Sequence, residues 1–580
     1  MSARKILSGV TMVALSVGCL AADAASSCSP AFSEVDVKNG LKVQVDCGLP
    51  GQTLNRLTIQ LNRVVKGAKL SDAQTVSLAS ATNVILGVAY AQSGRVGRKT
   101  DTAFANVEPL VERLAGQIRA QPDVDLAAEA RQWAARYENL LRRFSIARSP
   151  DPLELHIDEA LARFDLESAS QLLPQLLAEQ QGTPQVFAAR SYEAGEIELL
   201  RFAPQNALPH LEKAYALQPE DSSVATALAD TLQEQREFER AEPIYRTLLS
   251  RYQLLAREKP AAYQPQIART FDKLGNLYVG LQRPKEAEAA YLRALETYWV
   301  LAKQNPVAYG HAVAQTFDNL GVLYRDTQRL QEAADAYREA LDIDRALAYR
   351  DPATYKPDMA TTLNDLGILY GATQRMSDAE QAYREALSIQ RVLVRSNPAA
   401  YRPALARTFN NLGNLYSAMQ QLREAEHAYK EALTIRQQLA RESPALYRPD
   451  VARTLTNLGA LYRATQRPKE AQQAYQQALQ IYRALAGETP TVYQPDEART
   501  LNNLGVLFSH SGRPREAEDA YRNALDLYRT LSRDAPAAYR QDEARTLGNL
   551  SALLSQTQRP LEAEEIRREA ARLLDTTEAP

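Results

Sequence analysis

Residues 406–416 read ARTFNNLGNLY, and this stretch decides the fold because the chain repeats it at a fixed spacing. Its glycine, Gly413, belongs to a series in which each member lies 46 residues from the next. The series comprises Gly275, Gly321, Gly367, Gly413, Gly459 and Gly505, with Ala229 and Ser551 at the corresponding positions on either side. Such regularity is typical of one helical unit stacked many times. A stack of this kind has a long surface and no single deep cleft, so the pattern favours binding over catalysis.

Each 46-residue unit predicts two helices. The first, helix A, places Leu455, Leu458, Leu461 and Tyr462 on one face, which is the pattern of a packed apolar stripe. The second, helix B, begins near a proline such as Pro468, and proline is favoured in the first turn of a helix. A repeated alanine in helix B is followed four residues later by tyrosine. Small residues in both helices predict a close approach of their axes, with the tyrosine filling the space between them.

The segment between one helix B and the next helix A has the form P..Y.P, as in Pro398, Tyr401 and Pro403. These prolines are expected to end helix B, because proline lacks a backbone donor and restricts the residue before it. Helix A is then expected to start after an aspartate that caps its first turn. The predicted capping residues are Asp450, Asp496 and Asp542.

The frame of the repeat divides the chain into four predicted parts. Residues 1–24 form a signal peptide, and residues 25–50 form a β-hairpin stapled by a disulfide. Residues 51–183 form a helical region that covers the first face of the stack, and residues 184–580 form the solenoid. Units are expected to begin near residues 188, 222, 268, 314, 360, 406, 452, 498 and 544.

The N-terminal segment has the order of a secretory signal peptide. Arg4 and Lys5 precede the apolar run 6–17, and small residues follow as far as Ala24. Cleavage after Ala24 predicts an exported protein, either periplasmic or secreted. Cleavage before Cys19 is the alternative, and it would give an outer-membrane lipoprotein with a lipid anchor on that cysteine. No later segment has the run of about 18 apolar residues that a membrane span requires.

The other two cysteines flank a hairpin pattern. Asn39 and Gly40 lie between alternating apolar residues, which is typical of a β-hairpin turn. In an exported chain, Cys28 and Cys47 are expected to form a disulfide across this hairpin. Two free thiols in a cytoplasmic protein are the alternative.

The repeated residues resemble those of the tetratricopeptide repeat family. The family pattern of glycine, tyrosine, alanine and aromatic residue is met at Gly413, Tyr416, Ala425 and Tyr429. The resemblance covers about residues 184–580, and the long repeat is most similar to the kinesin light chain class. It implies an all-α, right-handed solenoid whose helices A line a concave groove. It also implies binding of proteins or peptides without catalytic activity.

Polar residues recur on one face of helix A. An arginine lies six positions before the repeat glycine, and asparagines lie two and three positions before it. Arginine can hold a carboxylate with two parallel bonds, and asparagine can donate and accept at one peptide unit. Some tetratricopeptide domains clamp a terminal carboxylate with residues at matching positions. The predicted binding residues for an extended, acidic peptide are Arg407, Asn410, Asn411, Arg453, Asn457, Arg499, Asn502, Asn503, Arg545 and Asn549.

These polar rows also have a purely structural interpretation. Asp450 lies three residues before Arg453, so the two can form an ion pair within the helix, and Asp496 and Asp542 precede their arginines in the same way. The asparagines can bond between neighbouring units. Arg407 has no aspartate at that position, and it is therefore the strongest candidate for ligand binding.

Composition and motifs exclude several classes of function. The chain is 45% hydrophobic and 24% charged with a net charge of −2, which predicts a folded protein and gives no sign of nucleic-acid binding. Phosphate-loop, GxSxG and HExxH motifs are missing from the sequence. The five histidines share no local ligand pattern, so no catalytic residue, metal or cofactor is expected.

The first functional hypothesis is therefore a non-enzymatic, exported scaffold or adaptor that binds protein partners in its groove. Two alternatives remain. One is an envelope enzyme with its active site in residues 28–180, in which the repeats recruit substrate. The other is a cytoplasmic cargo adaptor resembling kinesin light chain, which would keep its leader segment attached.

Overall fold

The computed structural model describes residues 31–36, 40–44, 133–142, 152–163, 165–178, 183–396, 398–442 and 444–575, with a few single positions between 78 and 114. Two short strands, β1 (Ala31–Asp36) and β2 (Gly40–Gln44), pair antiparallel with Val35 opposite Leu41. Cys28, Cys47, Cys19 and the predicted signal peptide lie outside the described residues. The disulfide, the lipid anchor and the cleavage site therefore remain predictions.

Helices follow one another from residue 152 onward, which confirms the predicted all-α solenoid for this part of the chain. They are α1 (Pro152–Ala162), α2 (Leu166–Ala178), α3 (Pro184–Leu200), α4 (Pro204–Leu217), α5 (Ser222–Glu234), α6 (Phe238–Leu255), α7 (Pro260–Gly280), α8 (Pro284–Gln304), α9 (Pro306–Asp326), α10 (Leu330–Ala348), α11 (Pro352–Ala372), α12 (Met376–Ser396), α13 (Pro398–Ala418), α14 (Leu422–Glu442), α15 (Pro444–Ala464), α16 (Pro468–Glu488), α17 (Pro490–His510), α18 (Pro514–Asp534), α19 (Pro536–Gln556) and α20 (Pro560–Asp575). Within the described ranges, no helix has the length and apolarity needed to span a bilayer.

Each repeat is named below by the residue at its glycine position. In the Gly413 repeat, helix A is α13 and helix B is α14, and both contain 21 residues. Helix A packs against helix B of its own repeat and of the repeat before it. A continuous cluster of buried apolar side chains extends from Tyr192 to Leu461, and a second cluster extends from Ala471 to Ala563.

Helix A is longer than the sequence pattern predicted. It begins at the first proline of the P..Y.P segment, as at Pro398, and it continues through Pro403. Proline is favoured at the first helical position because the donor that it lacks would be unpaired there. Helix B ends directly before this segment, as α12 does at Ser396, which confirms the predicted end of helix B. The prediction that helix A starts only after the segment was wrong. Asp450, Asp496 and Asp542 lie inside their helices rather than at the predicted caps.

The predicted close approach of helices A and B is confirmed. A Cβ atom added to Gly413 would lie 2.6 Å from the Tyr429 ring, and the same glycine–tyrosine contact occurs in each repeat from Gly275 to Gly505. Tyr429 is 3% exposed, as predicted for a core residue. The contact leaves no room for a side chain at the glycine position, which explains why glycine recurs there.

The turn between helices A and B is also repeated. Gln466 has a φ of 57°, and Gly512 at the same position of the next repeat has a φ of 68°. The N–H of Arg467 donates to the carbonyl of Tyr462 at 2.8 Å. A left-handed residue followed by a bond of this span is the Schellman motif, which satisfies the last carbonyls of helix A and reverses the chain sharply.

Successive helices A touch one another, as α11 touches α13, whereas helices B are in contact mainly with the helices A on either side. The inner elements of a curved stack lie closer together than the outer ones. Helices A therefore form the inner layer of the stack, in agreement with the groove that the family resemblance implies.

Candidate peptide-binding face

The residues six and two positions before the repeat glycine, and one position after it, share one side of helix A and are termed the inner face. In the Gly459 repeat they are Arg453, Asn457 and Ala460, of which the arginine is exposed and the other two are half-buried. In the Gly367 repeat the last of these positions is Ile368, which is 38% exposed. The inner face thus presents cationic, amide and apolar groups from consecutive repeats.

Three of the predicted arginines form ion pairs within their own helices. Arg453 pairs with Asp450, and the same pairing joins Arg499 to Asp496 and Arg545 to Asp542. These arginines are exposed, and pairs of this type are worth about 0.2–0.5 kcal/mol each. The structural interpretation is thus correct for these three residues, although such weak pairs leave their guanidinium groups available for exchange with a ligand carboxylate.

Arg407 differs from the other arginines of the row. Ala404 occupies the position of the pairing aspartate, and no ion pair or hydrogen bond of the Arg407 side chain is found among the described residues. The side chain is exposed. Arg407 is therefore an exposed cation of the inner face without an ion pair among the described residues, although its charge also favours the ionised form of the Asp365 carboxylate.

The asparagines connect neighbouring repeats. The side-chain amide of Asn411 donates to Asn364 at 3.1 Å, that of Asn457 donates to Asn410 at 3.3 Å, and that of Asn549 donates to Asn502 at 3.0 Å. The acceptors Asn410 and Asn502 are buried, which places them beneath the inner face. The structural interpretation is correct for these bonds, which form a ladder along the stack.

A threonine five positions before the glycine also belongs to this ladder. Thr362 donates to Asp318 at 3.1 Å, and Thr408 donates to Asn364 at 3.3 Å. Sequence analysis missed this row, although the signal was present in each repeat from Gly275 to Ser551. The threonines are Thr270, Thr316, Thr362, Thr408, Thr454, Thr500 and Thr546.

The ladder is interrupted between the Gly459 and Gly505 repeats. Thr456 occupies the acceptor position, and its hydroxyl donates to the carbonyl of Ala452 at 3.0 Å. Among the described residues, no hydrogen bond of the Asn503 side chain is found, and this side chain is half-buried. Asn503 is thus an amide of the inner face that remains available to a ligand.

A position on helix B that is buried in most repeats changes character along the stack. Its residues are Tyr252, Tyr298, Asp344, Gln390, Arg436, Tyr482 and Tyr528. Arg436 donates to Thr454 at 2.6 Å and to Asn410 at 3.2 Å, so the ladder supplies acceptors for this buried cation. Burial lowers the pKa of Arg436 to about 10. Sequence analysis missed this series because the residue types differ.

The inner side of the Gly321 and Gly367 repeats is acidic. Burial raises the pKa of Asp318 to about 8; the Thr362 hydroxyl opposes the rise, and the carboxylates of Asp344, Asp365 and Asp358 reinforce it. From the Gly413 repeat onward, each repeat has an arginine six positions before its glycine position, beginning with Arg407. Within the described residues, no group of three histidine, cysteine or acidic side chains has a geometry that could hold a metal ion.

The outer side of the stack carries a second network between repeats. Arg329 donates to Glu288 of the preceding repeat at 2.6 Å and lies 4.3 Å from the centre of the Tyr324 ring. In the same way, Glu426 accepts from Arg467 at 2.7 Å. Burial opposes ionisation of Glu426, but its bonds to Lys430 and Arg467 outweigh this and lower its pKa. Glu426 therefore connects helix B of one repeat to the turn of the next.

Comparison with known proteins supports the family resemblance. Models of the tetratricopeptide repeat match residues 268–298, 313–347, 359–399, 405–444, 437–484 and 498–532. No curated protein matches the chain by sequence.

Several solved structures are similar in fold. BtubC (BKLC) from P. vanneervenii has 22% identity over 43% of this chain and 94% of its own, with a TM-score of 0.36. The apo form of RapI has 14% identity over 53% of this chain and 98% of its own, with a TM-score of 0.38. The nearly identical TPR-like repeats of a putative kinesin light chain from Podosopora anserina have 15% identity over 39% of this chain and 99% of their own, with a TM-score of 0.31. The chain thus contains tetratricopeptide repeats in the matched stretches between residues 268 and 532.

Proposed function

We propose that the protein is a non-enzymatic, exported scaffold that binds extended segments of partner proteins along its inner face. The observation that carries this proposal is the ladder beneath that face. Hydrogen bonds such as those from Asn411 to Asn364 and from Asn457 to Asn410 hold successive helices A in register. The side chains above the ladder are therefore presented at a regular spacing, and a preorganised surface loses little entropy when it binds a ligand.

The open groups of the inner face favour an acidic ligand. The Arg407 guanidinium group makes no ion pair with the residues that the structure describes, and Arg453, Arg499 and Arg545 make only weak helical ion pairs. A carboxylate of the ligand can bind Arg407 directly and can displace an aspartate from the others. Asn503 can bond to the backbone of the ligand, and Ile368 offers an apolar contact.

Peptide titration tests this proposal. Fluorescein-labelled peptides of 12 to 15 residues, about the length that spans several repeats, would be titrated with the mature protein. Each acidic peptide is compared with a copy in which asparagine and glutamine replace its carboxylates. The variant combining Arg407→Ala, Arg453→Ala and Arg499→Ala should bind acidic peptides about tenfold more weakly, because three exposed charge contacts are removed.

A control variant with the same change of net charge separates local from global electrostatics. Arg293→Ala, Arg338→Ala and Arg567→Ala remove three exposed arginines of helices B that also form helical ion pairs. This control should leave affinity nearly unchanged. Equal losses in both variants, or no loss in either, would remove the inner-face arginines from the proposal.

Export rests on the leader segment and has its own test. Mass spectrometry of the protein from its native cells should find a mature chain that begins at Ala25 and contains a Cys28–Cys47 disulfide. An acylated Cys19 would show the outer-membrane lipoprotein instead. A chain that keeps residues 1–24 would favour the cytoplasmic adaptor.

A further inference from the structure

The Gly321 repeat departs from the repeat pattern at three positions. Gly310 stands where the next two repeats have the long side chains of Lys356 and Arg402. His311 replaces a proline, which the five other repeats from Gly275 to Gly505 retain. Asp344 replaces a tyrosine that occurs at four of the seven positions in the helix B series from Tyr252 to Tyr528. The three departures lie 34 residues apart at most, and two of them meet in the folded chain.

The meeting point contains an unsatisfied buried carboxylate. Asp344 is 1% exposed, and neither of its carboxylate oxygens has a hydrogen-bond partner in the part of the chain that the structure describes. The Nδ1 atom of His311 lies 4.0 Å from Asp344 Oδ1 and 3.9 Å from Asp358 Oδ2. The imidazole ring packs edge-on against Tyr355, with ring centres 5.4 Å apart. Two carboxylates therefore converge on one side of the histidine.

The group is open to solvent on one side. The side chain of Asp358 is 45% exposed and that of His311 is 32% exposed, so these two residues form a rim above Asp344. Asp358 lies nine positions before its repeat glycine, as Asp450 does in the Gly459 repeat. Asp450 bonds to Arg453 of the inner face. The rim therefore borders the surface on which we propose that peptides bind.

Some equivalent positions show what Asp344 lacks, although the side-chain oxygens of Gln390 and Tyr528 are also without a hydrogen-bond partner among the described residues. Arg436 is as deeply buried, but it is bonded to Thr454 and Asn410. Tyr482 and Tyr528 fill the position with an aromatic ring. A buried carboxylate without donors is unfavourable, so buried polar groups are nearly always paired. Aspartate is smaller than tyrosine, so this position holds less side-chain volume than in the Gly459 and Gly505 repeats, and the missing donor would have to come from outside.

We propose that Asp344, with Asp358 and His311 at its rim, receives the ammonium or guanidinium group of a lysine or arginine side chain from a peptide bound on the inner face. This inference rests on the proposed function. A cationic side chain carries several N–H donors and a flexible stem that can extend past the rim to Asp344. Asp344, Asp358 and His311 are termed the acidic pocket. The described residues offer no three-ligand geometry that would suit a metal ion instead.

The inference gives the bound segment a direction. The acidic pocket belongs to the Gly321 and Gly367 repeats, and the exposed cation Arg407 belongs to the next repeat along the stack. A ligand with a basic residue at one end and acidic residues at the other matches this order. The reverse order would place like charges opposite each other.

An array of 12-residue peptides with random sequences tests the pocket, using the mature protein as the probe. For every peptide that binds, copies are made in which each lysine or arginine is replaced singly by norleucine, which keeps the stem and removes the charge. One replacement should weaken binding to the wild-type protein about tenfold, as expected for a lost charge-assisted hydrogen bond. In Asp344→Asn and Asp344→Tyr, the original and norleucine copies should bind equally.

Two features of the design keep the outcomes separable. Asp344→Tyr restores the common residue of the repeat, so its fold should be retained, and circular dichroism checks this. Asp342→Asn, at an exposed carboxylate on the same helix, should behave as wild type. A norleucine effect that persists in both Asp344 variants, or is never seen, overturns the inference while leaving peptide binding intact. If no peptide binds wild type, the proposed function fails and the inference fails with it.

Discussion

At the residue scale, the contact between the repeat glycine and the helix B tyrosine determines how closely each helix pair packs. The ring of Tyr429 occupies the space in which a side chain of residue 413 would lie. A methyl group there would displace the ring and the helix B that carries it. Close packing of this kind tolerates added volume poorly.

Gly413→Ala should destabilise the protein by about 1–3 kcal/mol through overpacking. Gly548→Ala is the matched control, because it lies in a helix A and a Cβ atom there meets nothing within 4 Å. The control should be neutral or stabilising by up to about 1 kcal/mol, since alanine favours the helix. Urea unfolding followed by circular dichroism compares the two, and equal effects would contradict the packing explanation.

Asp318 should make stability depend on pH. Its pKa of about 8 in the folded protein exceeds the unfolded value of about 3.9, so the folded state binds the extra proton between these limits. Stability should therefore fall as pH rises through this window, by at most about 1.4 kcal/mol per pH unit. Asp318→Asn places the residue of Asn364 at the same repeat position and should reduce this dependence. Thermal midpoints at pH 5, 6.5 and 8 give the comparison, and parallel curves for both proteins would contradict it.

At the scale of helices, two networks bind each repeat to the next. The ladder of threonine, asparagine and aspartate side chains connects helices A beneath the inner face, as in the bond from Asn457 to Asn410. The bridge from Arg467 to Glu426 connects the turn of one repeat to helix B of the preceding one. Both are oriented along the stack, so they oppose separation and sliding of repeats.

The gap in the ladder at Thr456 gives a prediction for this scale. Thr456→Asn supplies the acceptor that the equivalent Asn410 provides for Asn457, and Asn503 should then donate to it. One added buried hydrogen bond is worth about 0.5–1.5 kcal/mol. Hydrogen exchange should slow in α15 and α17 and stay unchanged in α5. Faster exchange near the substitution would show that asparagine does not fit there.

At the scale of the whole molecule, each repeat contacts mainly its neighbours, so the stack lengthens with every unit. A compact chain of 580 residues would have a radius of gyration of about 25 Å. Small-angle X-ray scattering of the monomer should give a value well above this. A value near 25 Å would contradict an open stack and, with it, a continuous inner face.

Sequence alone determined the helix pair, the glycine–tyrosine contact and the presence of tetratricopeptide repeats. These features depend on residues within one unit, such as Gly413 and Tyr429, whose spacing is regular enough to predict which side chains meet. The exposed arginine Arg407 was also predictable, because its missing partner would lie only three residues away in the same helix.

Only the tertiary structure decided how the repeats join and where the pattern is broken. The bond from Asn411 to Asn364 and the convergence of His311, Asp344 and Asp358 depend on the stacking geometry of neighbouring helices. The continuation of helix A through Pro403 was mispredicted for a related reason. Local propensity opposes a helix at proline, but burial of neighbouring residues such as Leu405 favours it. The periodicity of a sequence specifies the faces of its helices, whereas contacts between faces depend on how the helices are placed in space.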